Sequence, residues 1–138
     1  MGEIQLRGHC QCCGGEQAVL KKGSVAKHGY TVLYGWFNGV CTGEYYRAIE
    51  EDITQAKRLI EQVADEIIGF KALLEDLNAG KKFPAFVNRW NNRGKDDLIP
   101  FAEAGEYEQK KAVIAEIRNT ETRISMGNNY IDNMKQII

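Results

Sequence analysis

Only two histidines and two prolines occur among the 138 residues, and no cysteine follows Cys41. Two imidazoles leave little for acid–base catalysis. Also missing are G-x-S-x-G, H-E-x-x-H, a glycine-rich phosphate loop leading into a helix, and the P-C-x-x-C of zinc deaminases. The chain is therefore expected not to be an enzyme. No stretch approaches the ~18 apolar residues of a membrane span, so a soluble protein with no membrane partner is expected. Residues 1–20 carry no basic segment running into an apolar one, which argues against a secretory signal. Thiols kept free or on a metal then fit a cytoplasmic location.

What is present is concentrated at the start. Cys10, Cys13, His28 and Cys41 spell C-x2-C-x14-H-x12-C. Thiolate and imidazole are the donors of tetrahedral zinc, and a structural site fills all four positions with protein. Two cysteines three apart can curl round one ion, and Gly14 lets the backbone turn there and aim amides at the sulfurs. The roughly 35 residues involved are too few for a free-standing apolar core, so a metal clip supplies what burial does not. Disulfides suit a secreted chain, and a redox C-x-x-C wants a βαβ setting; neither context is visible. The favoured structural Zn2+ set is Cys10, Cys13, His28 and Cys41, with His9 and Cys12 close enough to replace a member.

The composition, 43% hydrophobic and 27% charged, is that of an ordinary globular chain. Its net charge of −1 is unevenly spread: +2 over residues 1–43, −5 over 44–80, +3 over 81–100 and −1 over 101–138. Before Glu44, short β-prone pieces at 17–20, 30–34 and 36–40 alternate with glycines, which suits small hairpins around a metal. Tyr30, Tyr34, Trp36 and Phe37 would cover the site.

From Glu44 to about Asn78, Ile49, Ile53, Ala56, Ile60, Val63, Ile67, Phe70, Leu74 and Leu77 recur at spacings of four and three, a helical seam. Thr42 would cap the start and Gly80 would end it. A second helix from near Pro100 carries Val113, Ile117, Thr120, Ile124, Gly127, Ile131, Met134 and Ile138, with Gly127 a point of weakness. The expected fold is α+β, mainly α: a small zinc-ribbon or knuckle-like β module over 1–43, then a coiled-coil-like antiparallel helical hairpin over 44–138 with a connector at 81–99. Leu59, Ile68 and Leu73 widen the first seam beyond what one helix covers. A homo-oligomer, most simply a dimer, follows from that width.

The connector mixes Lys81, Lys82, Arg89, Arg93 and Lys95 with Phe83, Phe86 and Trp90. Basic groups pair with phosphates and aromatic faces stack on bases. The same aromatics at spacings of three and four also describe a plain amphipathic turn, with the cations as its wet side.

The motifs C-Q-x-C-G over 10–14, V-A-K-H-G-Y-T-V over 25–32 and F-N-G-x-C-x-G over 37–43, followed by a long charged helix, resemble a family of small uncharacterised proteins of bacteriophages and bacterial mobile elements. The similarity extends into the connector and Phe101-Ala102-Glu103-Ala104. It implies Cys10, Cys13, His28 and Cys41 as the metal set, in agreement with the spacing; Cys12 is an additional thiol in this chain. A phage setting places the protein in the host cytoplasm and favours a non-enzymatic, zinc-stabilised binding protein that engages a host protein complex, an anti-CRISPR inhibitor being one form. The alternative is a nucleic-acid-binding accessory protein. It would use Lys21, Lys22 and Lys27 of the head with Lys81, Lys82, Arg89, Trp90, Arg93 and Lys95 of the connector.

Overall fold

Among the described residues, the glycine-punctuated N-terminal stretch forms strands of three residues. In the computed structural model, residues 5–29, 40–90 and 96–138 are described, Trp90 and Asp96 through their backbone alone. Strand β1 (Arg7–His9) pairs antiparallel with β2 (Glu16–Ala18). A 3₁₀ turn (Thr42–Tyr45) precedes helix α1 (Thr54–Asn78). A second hairpin, β3 (Phe86–Trp90) with β4 (Asp96–Pro100), leads through another 3₁₀ turn (Phe101–Glu103) into helix α2 (Glu106–Ile137). The described chain is thus mainly α with two small antiparallel sheets. It divides into two compact units: Met1–Ile67 with Ser125–Ile138, and Ile68–Ile124.

The first unit is built around the β1–β2 turn. Cys10 N–H donates to the Gly15 carbonyl and Gly14 N–H to the Cys10 carbonyl, both at 2.9 Å, which folds residues 10–15 into a tight knuckle. Gly14 has φ +74°, a left-handed conformation that a side chain would strain. Cys10, Cys12, Val25, Cys41 and Ala48 form a buried cluster against which Val19, Tyr46 and Leu59 pack. Isolated bridges join Val19 to Val25, Ser24 to Arg47 and Gly29 to Val40. Tyr30, Tyr34, Trp36 and Phe37 lie outside the described residues, as do most of the strands expected at 30–34 and 36–40.

Helix α1 begins at Thr54, ten residues later than the apolar spacing predicts. Its first three amides decide the point. Asp52 Oδ1 accepts from Thr54 N–H at 3.0 Å, and Gln11 Oε1 accepts from Gln55 and Ala56 N–H at 2.9 and 3.1 Å. The cap that a Ser or Asp next to the helix would normally supply comes from the middle of the C-x-x-C turn. Gln11 Nε2 also donates to the Arg47 carbonyl at 2.8 Å, and the side chain is fully buried. Thr42 does not cap α1. It opens the 3₁₀ turn, which is capped by the Cys41 sulfur accepting from Gly43 N–H. Ile49 and Ile53 therefore meet the core from an irregular segment; Ile49 N–H donates to the His9 carbonyl at 2.8 Å.

The rest of the α1 seam agrees with the burial. Ala56, Val63, Ile67 and Leu77 are buried, while Ile60, Phe70 and Leu74 are half-buried. Gly80, at φ +73°, ends the helix: Lys81 N–H donates to the Asp76 carbonyl at 2.8 Å and Gly80 N–H to that of Leu77 at 3.2 Å, a Schellman closure. α2 runs unbroken through Gly127, which is itself buried. On its last turns Met134 is buried but Ile138 is exposed, and Tyr130, outside the expected seam, is buried. Its hydroxyl donates to the Cys12 carbonyl at 2.5 Å, which gives a polar tip a partner inside an apolar setting.

In the second unit the connector is a β-hairpin, not an amphipathic turn. Val87 is buried and Ile99 opposite it half-buried, whereas Phe86, Asn88 and Leu98 are exposed. Such alternation is a strand period, and the i, i+3, i+7 spacing of Phe83, Phe86 and Trp90 is incidental to it. The Phe83 and Phe101 rings stack with centroids 5.1 Å apart. α2 starts with half of a capping box: Gln109 N–H makes the first helical bond to the Gly105 carbonyl, and Gly105 N–H donates to Glu108 Oε1.

Replacing Gln11 by alanine leaves two helix-end amides and the Arg47 carbonyl without their partner. Denaturant unfolding should show a loss of about 2–3 kcal/mol, larger than for Asp52→Ala at the exposed side of the same cap.

Candidate metal centre

Three separate segments deliver the four expected donors. The β1–β2 turn carries Cys10 and Cys13. The chain after Ala26 carries His28, and the entry to the first 3₁₀ turn carries Cys41. The Cys41 N–H donates to the His28 carbonyl at 2.9 Å, so the last two segments are bonded where the ligands leave them. One donor atom from each of Cys10, Cys13, His28 and Cys41 falls within 4.8 Å of all the others.

The geometry fits a tetrahedral thiophilic ion. Cys10 Sγ and Cys41 Sγ are 3.6 Å apart, and Cys13 Sγ lies 3.3 Å from His28 Nε2. A zinc ion with sulfur ligands at about 2.3 Å places neighbouring donors about 3.8 Å apart, so these separations are of the size that one such shell requires. None of the four thiols is in a disulfide. His28 Nδ1 lies 2.7 Å from the Ala26 carbonyl, an arrangement that puts the proton on Nδ1 and leaves Nε2 to face the sulfurs.

Each sulfur of the set also accepts from the amide two residues on. Cys12 N–H donates to Cys10 Sγ at 3.4 Å, Gly15 N–H to Cys13 Sγ at 3.5 Å, and Gly43 N–H to Cys41 Sγ at 3.4 Å. These amides offset the negative charge that gathers when three thiolates share one ion. Gly43 is needed for a second reason: a Cβ there would overlap Cys10 Sγ, so the Cys41 loop closes over Cys10 only with glycine at that position.

The thiols are already polarised toward ionisation at one point. Hydrogen bonds from the Cys12 thiol, and next from Cys13, bring Cys10 down to about 6. The same contacts push Cys12 and Cys13 up, first through Cys10 and then through Cys41. For His28, burial opposes the charged ring, but the Ala26 carbonyl and the nearby sulfur charges outweigh it and raise its pKa.

Neither possible substitute is one of the four gathered donors. His9 Nδ1 lies 2.8 Å from Glu50 Oε1, and the Glu50 carboxylate also accepts from His9 N–H. Cys12 is buried with its sulfur 3.7 Å from Thr42 Oγ1. Gln11 was not singled out by its chemistry in the sequence. The signal was positional, since a residue inside a C-x-x-C turn sits where segments converge.

The connector cations are differently placed. Lys81 is exposed, and Lys82 Nζ lies 3.6 Å from Asp76. Arg89 clasps Glu108 with Nε–Oε2 at 2.9 Å and Nη2–Oε1 at 2.6 Å, a two-pronged pair that holds the Glu108 carboxyl below its usual range. Arg93, Lys95 and the Trp90 side chain lie outside the described residues. In the head, Lys21 and Lys22 line a cleft with Arg47 and form no ion pair among the described residues.

No family model, curated protein or solved structure matches this chain.

Gly43→Ala should greatly reduce metal retention on dialysis while preserving most helical circular dichroism. Protons compete with metal for the sulfurs, so affinity falls on acidification. Below about pH 6, where Cys10 also takes up a proton, competition titrations should show a steeper fall than above it.

Proposed function

We propose that this chain is a non-enzymatic binding protein whose head is held together by one structural zinc ion on Cys10, Cys13, His28 and Cys41. The observation that carries this reading is the completeness of the donor set: three sulfurs and one imidazole, within 4.8 Å of each other, fill a tetrahedral shell with protein atoms. Such a shell leaves no position for substrate or activated water, which distinguishes a structural centre from a catalytic one. When bound, zinc would cross-link the three segments and neutralise their thiolates. Zinc is the default thiophilic ion for S₃N ligation. The head is then a small ribbon or knuckle mounted on the start of α1, and α1 and α2 form an antiparallel helical hairpin that offers a face for a second copy.

The partner in this reading is a protein, such as a host complex met by a phage-encoded factor. Two features favour protein over nucleic acid. Arg89 and Lys82 are engaged with Glu108 and Asp76 rather than presented to phosphates. The segment 44–80 carries a charge of −5, which repels a polyanion. The nucleic-acid reading retains one observation in its favour, Lys21 and Lys22 beside Arg47 with no ion pair among the described residues.

Elemental analysis of Cys13→Ser should find the metal lost and the head unfolded, with α-helical signal largely retained; Cys12→Ser should keep one equivalent. Affinity capture from host lysate should enrich a protein whose recovery is unchanged by nuclease treatment. Salt-dependent nucleic-acid binding abolished by Lys21→Ala and Lys22→Ala would overturn the protein-partner assignment.

A further inference from the structure

The β3–β4 hairpin leaves one backbone edge open. Phe101 N–H bonds the Ala85 carbonyl, and with the pairing Val87↔Ile99 and Arg89↔Asp97 this places the exchanged hydrogen bonds at Ala85, Val87 and Arg89. In an antiparallel pair the intervening residues direct their N–H and C=O groups outward. Those residues are Phe86, Asn88 and Trp90, and the backbone groups of Phe86 and Asn88 have no partner among the described residues.

The two edges of this sheet differ. β4 is blunted by Pro100, which has no N–H, and by the adjacent acids Asp96 and Asp97. β3 has no proline, and its one cation, Arg89, is bound to Glu108 on α2. A groove of about 430 Å³ runs beside β3, with Pro84, Phe86, Val87 and Asn88 on one side and Tyr107 and Ala115 of α2 among the residues on the other. No described residue of β4 lines it, so it lies on the open side of β3.

We infer that this groove is a docking site for an extended peptide segment of another protein, added as a strand to the outer edge of β3. Main-chain bonds to Phe86 and Asn88 would supply the affinity, and apolar side chains at alternate positions of the peptide would meet Val87 and Tyr107, with the intervening ones beside Phe86 on the other face. The available area selects this occupant over a second copy of the chain. Of the groove's large side chains, Phe86 and Tyr107 are 55% and 73% exposed, leaving roughly 200–300 Å² of apolar side chain. A stable dimer interface needs about 800 Å² from each partner. One strand of a peptide needs less, because it satisfies hydrogen bonds that are already aligned. Charge agrees with an uncharged core to the peptide: Glu108 is neutralised by Arg89, and Lys111 and Glu116 on the helix wall have opposite signs. The inference rests on the protein-binding reading above and assigns it a surface.

The test is selection of random linear displayed peptides on the full metal-loaded chain, with the enriched sequences resynthesised. The expected result is a motif with apolar residues at alternate positions, whose binding falls about tenfold or more on N-methylation of alternate peptide amides. Asn88→Pro, which removes an outward N–H without touching a β3–β4 bond, should weaken binding similarly. Ala115→Trp, which fills the groove from an exposed helix position, should do the same if Asn88→Pro disturbs the fold. No enrichment, or binding indifferent to both substitutions and to N-methylation, overturns the docking site. A concentration-dependent dimer broken by Asn88→Pro also overturns it, by assigning the edge to a second copy. A host protein captured equally by wild type and both variants removes the docking site and leaves the binding-protein reading standing, whereas capture of nucleic acid alone removes that reading.

Discussion

Convergence of three sulfurs and one imidazole in a space under 4.8 Å is the constraint on which the head depends. Strands of three residues bury too little apolar area to define a fold by themselves. Without a shared ligand, the β1–β2 turn, the His28 segment and the Cys41 loop are joined, among the described residues, by isolated bridges and one small buried cluster. Bringing the donors together also brings together incipient negative charge. The three amides bonded to the sulfurs and the hydrogen-bonded orientation of His28 answer that charge locally. The glycine at 43 is a consequence of the same crowding.

The knuckle then organises its surroundings through residues that are not ligands. Gln11 donates to Arg47 and caps α1, and the Cys12 carbonyl receives the Tyr130 hydroxyl from α2. Two consecutive residues inside the C-x-x-C turn thus meet both helices within the first unit. Glu50 anchors His9 from the segment before α1. The ligand turn serves both as a clip and as a cap.

How much of this was legible depends on how local the physics is. The quartet was readable because ligand chemistry restricts residue type and the spacing restricts partners. The α1 seam and its end at Gly80 were readable because helical period and a left-handed glycine are local properties. The start of α1 was not readable, since its capping acceptor lies 44 residues away on Gln11. Tyr130 escaped for the same reason: its burial answers to a carbonyl 118 residues earlier. The connector was misassigned because three aromatics happened to fall at helical spacing. The β pattern of Val87 and Ile99 becomes visible only once their pairing is known. Arg89 looked like a free cation until Glu108 was placed beside it.

The proposed binding role would draw on the second unit, which presents exposed apolar residues on strand and helix, among them Phe86 and Tyr107. The most direct test of the metal centre is X-ray absorption spectroscopy at the zinc edge on the freshly purified chain. The account predicts three sulfur scatterers at about 2.3 Å and one nitrogen at about 2.0 Å, with no oxygen shell. A shell containing water or carboxylate oxygen, or fewer than three sulfurs, would contradict it.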